Sequence, residues 1–326
     1  MINYIPQKQL EEKLRTFVSQ PVKSLTNYCD FHFGDDVVRF PIETSEGLVL
    51  ESSFCQGYKE EKYLAALSAQ VGCANQCKFC DLADFGLQKN LSSDELVEQL
   101  RLVLQGADKR GYNIYDRPVK ATFVMGGDPL NNPYFPDAVS LLAEELPLQL
   151  KVSTLLSAAK SIKRNYSRLV EAAKDYPNIV QMQVSLNSTD EEYRQSLSLI
   201  PLAGFADVKE VGEIWKEQVP EARKIDLTFT VNKDTPLDPE SIVDILSPEL
   251  FAIRLRELVP TSRGESHGLK GVVDEQVSEA SKRFRDSGYD LIPGSPGKLE
   301  WDFNLSPGEM IKLYSQIKTK QEVKQK

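Results

Sequence analysis

From residue 69 onward, short apolar runs and amphipathic stretches take turns along the chain, and this alternation restricts the fold more than any other feature. Residues 119–124, 148–154, 180–186, 225–231 and 251–255 are apolar runs of strand length. Between them, helical spacing of apolar side chains predicts helices over 134–145, 166–174, 208–217 and 238–246. Another helix opens at Ser92-Ser93-Asp94-Glu95, where a serine cap precedes early carboxylates, and continues through Leu96, Leu100 and Val103. Strands separated by helices need crossover connections and therefore pair in parallel. Counting the run at 63–68 as the first strand, six such units predict an α/β fold of the partial (β/α)6 barrel type. In barrels of this kind chemistry sits at the C-terminal ends of the strands.

The two ends read differently. Residues 7–18 predict a short amphipathic helix, followed by β-rich runs at 29–33, 37–42, 48–54 and 63–68 with a hairpin turn at Ser45-Glu46-Gly47. Beyond the core, 275–287 predict a helix, 290–293 and 299–303 a short strand pair, and Pro307 the first turn of a last helix. The expected division is an N-terminal helix and β-rich extension over 1–68, a barrel core over 69–265 and a strand and helix extension over 266–326.

The strongest chemical signal lies just after the first extension. Cys73, Cys77 and Cys80 stand in Val71-Gly72-Cys73-Ala74-Asn75-Gln76-Cys77-Lys78-Phe79-Cys80-Asp81, a C-x3-C-x2-C spacing. Three thiolates on one tight loop suit three irons of a four-iron cluster, leaving the fourth open to a small molecule. Thiols packed so closely in a reducing compartment bind metal more often than they pair. A structural zinc would want a fourth nitrogen or sulfur ligand. His32 and His267 are the only histidines and are distant in sequence, so a zinc-stabilised binding protein stays as an alternative.

The spacing, Phe79 before the last cysteine and the strand-loop-helix setting resemble the radical S-adenosylmethionine (SAM) superfamily. Phe123-Val124-Met125-Gly126-Gly127-Asp128-Pro129-Leu130 is similar to its glycine-rich SAM motif, and the Asp128-Pro129-Leu130 ending to the subgroup of RNA adenosine C2 methyl synthases. Ser68-Ala69-Gln70-Val71-Gly72-Cys73-Ala74, Val184-Ser185-Leu186-Asn187 and the following Asp190, Glu191 and Arg194 continue that likeness, which spans roughly residues 60–265. The resemblance implies a radical SAM barrel whose cofactors are a [4Fe-4S] cluster on Cys73, Cys77 and Cys80 and SAM on its open iron. It further implies an external electron donor such as flavodoxin or ferredoxin. Reductive cleavage of SAM would then yield a 5′-deoxyadenosyl radical that takes hydrogen from a substrate carbon, the protein supplying orientation and exclusion.

The departures bear on the substrate. The methyl synthases use two more cysteines, one in a C-terminal loop and one seven residues before the first cluster cysteine. This chain has no cysteine after Cys80, and Ala66 takes the second position. Cys29 and Cys55 lie elsewhere, and small cysteines are common core residues. The chain also leaves little room for the helical RNA-binding domain those enzymes carry at the N-terminus.

Under the resemblance, the Gly126–Gly127 backbone and Asp128 meet the methionyl ammonium of SAM, although Gly-Gly-Asp-Pro is also a plain turn. Ser153, Thr154 and Ser157 after the third strand, and Ser185 and Asn187 after the fourth, are candidate SAM contacts that could equally cap helices. Arg254, Arg256, Arg263 and His267 follow or flank the sixth strand and are candidate substrate ligands, since guanidinium forks suit carboxylate and phosphate.

Lys and Arg number 39 against 48 Asp and Glu, a formal charge of −9. Nucleic-acid binding usually leaves a basic footprint. The best local patch, residues 160–168, reads equally as a solvated helix face. These features favour a small molecule or natural-product precursor as substrate, with RNA second. No apolar run is long enough for a bilayer and the N-terminus lacks a secretory core, so no membrane partner and a cytoplasmic location are expected.

Overall fold

A computed structural model of the chain describes residues 7–27, 31–33, 37–56, 61–146, 148–271, 274–294, 307–308 and 311. Helix α1 (Gln7–Ser19) precedes strands β1 (Leu25–Asn27), β2 (Phe31–Phe33), β3 (Val37–Thr44) and β4 (Val49–Gln56), in which β3 pairs antiparallel with each of the other three. The turn between β3 and β4 holds Gly47 at φ +79, a left-handed conformation that costs glycine nothing. Strand β5 (Tyr63–Leu67) then pairs antiparallel with β4 and so joins the N-terminal strands to the barrel in one sheet. The short antiparallel pair β6 (Gln70–Gly72) and β7 (Leu87–Asn90) brackets the cysteine loop.

The alternating part follows. Helix α2 (Ser93–Lys109), β8 (Val119–Phe123), α3 (Phe135–Glu145), β9 (Gln149–Thr154), α4 (Lys160–Asp175) and β10 (Val180–Ser185) lead to the paired helices α5 (Glu191–Ser196) and α6 (Phe205–Gln218). Strands β11 (Ile225–Val231) and β12 (Phe251–Glu257), helices α7 (Ser262–Ser266) and α8 (Asp274–Asp286) and the short β13 (Asp290–Leu291) close the series. β5, β8, β9, β10, β11 and β12 are neighbours in that order and all parallel. The sheet path ends on β1 and β13 and does not close, which makes the expected partial barrel.

Local chemistry explains the elements. At α2, Ser92 Oγ accepts from Glu95 N while Glu95 Oε2 accepts from Ser92 N, a reciprocal cap that satisfies two helix-start donors. Its Leu96, Leu100 and Val103 are fully buried under the sheet. Along each parallel strand one set of side chains (Ala121, Val152, Met182, Leu227, Ile253) faces the helices and is fully buried. Burying a Leu, Ile or Met side chain contributes about 1.5–3 kcal/mol. Truncating Phe229, also fully buried and beside Phe284, would cost about 3–5 kcal/mol.

The alternate set faces the barrel lumen and is polar. Its upper members, Thr122, Ser153, Ser185, Thr230 and Arg256, are only half-buried. The lumen is therefore the side of the sheet that water and a ligand reach.

One expected helix is missing. Residues 238–246 form only a turn at Pro239–Ser241 followed by mixed short-range bonds, Ile245 N and Leu246 N both donating to Ile242 O. Pro239 starts the turn, and Pro248 bars continuation, so the segment is too short for propagation to offset nucleation. The expected strand at 299–303, Cys29 and all of the last helix except a turn at 307–308 and helical Ile311 fall outside the described residues.

Candidate functional site

The cysteine loop leaves β6 at the C-terminal mouth of the lumen. Its entry needs glycine. Gly72 sits at φ +72, and a Cβ there would lie 1.8 Å from Gly86 O, the carbonyl to which Cys73 N donates. Three separate parts of the chain then hold the loop. Lys78 N donates to Leu197 O and Leu199 N to Gln76 O, so Cys77 and Ser198 form an antiparallel bridge, with Ser198 Oγ donating to Asn75 O. From the start of α7, Thr261 Oγ1 donates to Phe79 O, Arg263 Nε to Cys77 O and Arg263 N to Asp81 Oδ1.

The third brace is the glycine-rich turn after β8. Asp128 is 3% exposed and only accepts: Oδ2 takes Asn75 Nδ2 at 2.8 Å, Thr154 Oγ1 at 3.0 Å and Leu155 N at 2.8 Å, while Oδ1 takes Leu130 N at 3.0 Å. One carboxylate thus ties the cysteine loop to the ends of β8 and β9. Burial pushes its pKa up, and these donors oppose the rise. Gly127, at φ +74, has Gln70 where its Cβ would be, 2.4 Å away, and the Cβ of Gly126 would meet Ser68 Oγ at 2.6 Å. Packing against the chain's own Ser68 and Gln70 therefore requires both glycines.

The three cysteines are half-buried. Burial raises the Cys73 thiol to about 11, against donation by the amides of Asn75 and Gly127. Cys80 is raised to about 12 and Cys77 well above the ordinary thiol value, by burial first and then by the neighbouring cysteines. Three crowded sulfurs that resist ionisation together are suited to bound metal, which takes each as a thiolate. Among the described residues, no three His, Cys, Asp or Glu side chains converge as ligands of one ion. A cluster spreads its thiolates over separate irons, so this donor set fits a cluster better than a zinc ion.

The other sequence candidates fall into groups. Ser153 Oγ accepts from Gln183 Nε2 at 2.8 Å on the lumen side, and Ser157 Oγ lies 3.5 Å from Asn131 Oδ1. Thr154 is committed to Asp128 and to Leu156 N. The Ser185 carbonyl accepts from Arg194, whereas Asn187, left-handed at φ 65, accepts Thr230 N and braces β10 to β11. Arg254 and Arg256 lie on the lumen face of β12. Arg263 holds the cysteine loop and pairs with Asp84, and His267 is exposed at the end of α7. The basic stretch 160–168 is the first half of α4, where Lys163 meets Asp207 and Glu210, and Arg168 meets Asp137.

Sequence reasoning did not single out Asn75, Thr261 or Glu51. Glu51 is 1% exposed, accepts from Gly308 N, and adds negative charge near Cys80. Arg194, 1% exposed, donates to the carbonyls of Ser185, Leu186 and Leu155 and so gathers the ends of β9 and β10. Ala66 is half-buried on the lumen face of β5, level with Ser53 and Thr122.

The sequence profile of the Radical SAM superfamily matches residues 67–246, more than half of the chain. Among curated relatives, a probable dual-specificity RNA methyltransferase RlmN of Aquifex aeolicus is 27% identical over 217 residues, 65% of this chain and 59% of that protein. A probable RNA methyltransferase of Rhodopirellula baltica is 27% identical over 218 residues, 64% of this chain and 54% of that one. The chain thus spans a little over half the length of these relatives. A radical SAM methyltransferase from Sphaerobacter thermophilus shares the fold, with a TM-score of 0.71 over 94% of this chain and 85% of that one at 22% identity. Profile, fold and thiol loop agree: the chain belongs to the radical SAM superfamily, as an enzyme whose cofactors are a [4Fe-4S] cluster and SAM.

Proposed function

We propose that this enzyme modifies RNA by hydrogen abstraction, without the methyl relay through two further thiols that the methyl synthases use. The observation that carries the reading is the three-cysteine loop, braced from three sides at the mouth of a half-exposed polar lumen. The relatives supply the substrate class, since those named above are RNA methyltransferases. Their names outweigh the chain's net negative charge, which had favoured a small molecule. The departure is that no cysteine follows Cys80 to carry a methyl group, and Ala66 has no thiol to help resolve such an intermediate.

Bound together, the cluster and SAM supply a carbon-centred oxidant for an unactivated C–H bond. Cys73, Cys77 and Cys80 would hold the cluster. The Gly126–Gly127 turn, Ser153, Ser157 and Ser185 border the place left for SAM. We assign Asp128, Asn187 and Arg194 the task of fixing strand ends and loop, because their polar groups are already committed to the protein. We assign water exclusion to the α7 clamp, which donates to Phe79 O, Cys77 O and Asp81 Oδ1.

Anaerobic reconstitution with SAM and a flavodoxin or dithionite donor tests this. About four irons and four sulfides per chain are expected, with 5′-deoxyadenosine release that RNA stimulates and a new mass in the digested RNA. Cys77→Ala should abolish all three. Release that RNA leaves unchanged, with no altered nucleoside, would refute the RNA assignment while leaving the radical chemistry. A small anionic molecule is the second reading, favoured by Arg254 and Arg256 on the lumen face of β12.

A further inference from the structure

Below the level of the cysteines the lumen carries charge that the radical chemistry does not use. Lys120 on β8, Lys151 on β9 and Arg254 on β12 surround Asp226 on β11. Asp226 Oδ2 lies 3.2 Å from Arg254 Nη2, 3.8 Å from Lys151 Nζ and 3.0 Å from Gln181 Nε2. Lys120 Nζ donates to the same Gln181 through Oε1. Lys120 is 8% exposed, Lys151 7% and Asp226 1%. Lysines are seldom so buried without a carboxylate each. Among the described residues these three bases share one carboxylate, so with all three protonated the site carries an excess of two positive charges.

Two polar atoms at the same level have no partner. Thr228, 4% exposed, stands one lumen-facing step above Asp226, and its Oγ1 is buried without a hydrogen bond. Arg254, its direct partner across β11 and β12, leaves Nε in the same condition. Buried polar groups in native proteins are normally satisfied, and unsatisfied ones beside three buried bases with one carboxylate between them point to a place for an anion.

We propose that the lower lumen binds a phosphate group of the substrate as its dianion, held by Lys120, Lys151, Arg254 and Thr228. The site rests on the reading that the lumen receives the substrate. A phosphate dianion matches the charge excess, whereas a carboxylate would match half of it. Without the anion, burial holds Lys120 down to about 8 and Lys151 well below the ordinary lysine value. Lys62, Arg223 and Arg254 add to the depression of Lys120, and Arg254, Lys120 and Arg256 to that of Lys151, while Asp226 opposes both. An arriving dianion reverses this balance, so binding takes up protons.

The test is calorimetry on the reconstituted enzyme with inorganic phosphate, AMP, and a short oligoribonucleotide lacking terminal phosphates. The expected result is binding of at least one of the three, weakened about ten-fold or more in Lys151→Met and in Arg254→Met, as for loss of one charge-assisted hydrogen bond. Titration of the wild type at about pH 8 in buffers of different ionisation enthalpy should show net proton uptake, which keeps the test decisive if a variant fails to fold. Preference for AMP or phosphate assigns a terminal or free phosphate, and preference for the oligonucleotide an internal one. Absence of binding by all three, equal affinity in wild type and both variants, or binding without proton uptake would overturn the site. No SAM turnover is needed, so an enzyme that binds phosphate and leaves RNA unmodified would refute only the RNA reading.

Discussion

Asp128→Asn separates a brace from a SAM ligand, and its cost can be worked from the bonds. The carboxylate faces only donors: three on Oδ2 and Leu130 N on Oδ1. An asparagine keeps the three only by placing its oxygen at Oδ2, which turns its NH2 group onto the Leu130 N–H. That buried amide then loses its acceptor and faces another donor, at about 1–3 kcal/mol. The three retained bonds fall from charge-assisted to neutral, at about half their former strength. Relief of the buried charge offsets part of this, leaving a net loss of about 2–3 kcal/mol. Urea denaturation of the apoprotein should register that loss as a lower midpoint at unchanged slope, and iron content after reconstitution should fall with it. Wild-type stability and full iron loading combined with weakened SAM binding would refute the brace and make Asp128 a ligand.

Gly72→Ala places a methyl on Gly86 O in a left-handed backbone, so a loss of at least about 2 kcal/mol and poor iron retention are expected by denaturation and metal analysis. Arg263→Ala removes the donor to Cys77 O and the half-exposed pair with Asp84; hydrogen exchange across residues 76–84 should quicken about ten-fold, equivalent to about 1.4 kcal/mol. Lys120 has its folded pKa below its unfolded value, so between about pH 8 and the ordinary lysine value the unfolded chain binds the extra proton and stability rises with pH. That rise, at most about 3 kcal/mol, should shrink in Lys120→Met; parallel pH profiles for the two proteins would refute the depressed pKa.

The barrel strands were legible because each is an apolar run of strand length bounded by a turn, and the Ser92 cap announced α2. Strands β6 and β7 were not, being three and four residues long and largely polar or glycine. At 238–246 apolar spacing resembled a helix, but the flanking prolines decided otherwise. The thiol trio is local and could be read directly. Its braces could not, since Arg263 is 186 residues from Cys77 and Ser198 123 from Asn75. The lumen cations were visible singly as polar residues within apolar strands. Their convergence depends on register, which aligns Lys151 with Gln181, Gln183 with Asp226 and Thr228 with Arg254.

The clasp from Thr261 and Arg263 also sets an order of events during synthesis. A growing polypeptide folds from its N-terminus as it emerges, so the thiol segment leaves the ribosome long before the residues that fasten its outer side exist. Iron delivered once residue 199 has emerged, but before α7 has, would meet a loop held on two sides out of three. Durable metallation therefore waits until translation has passed α7, and the metal content of truncated chains would report how far each had been made.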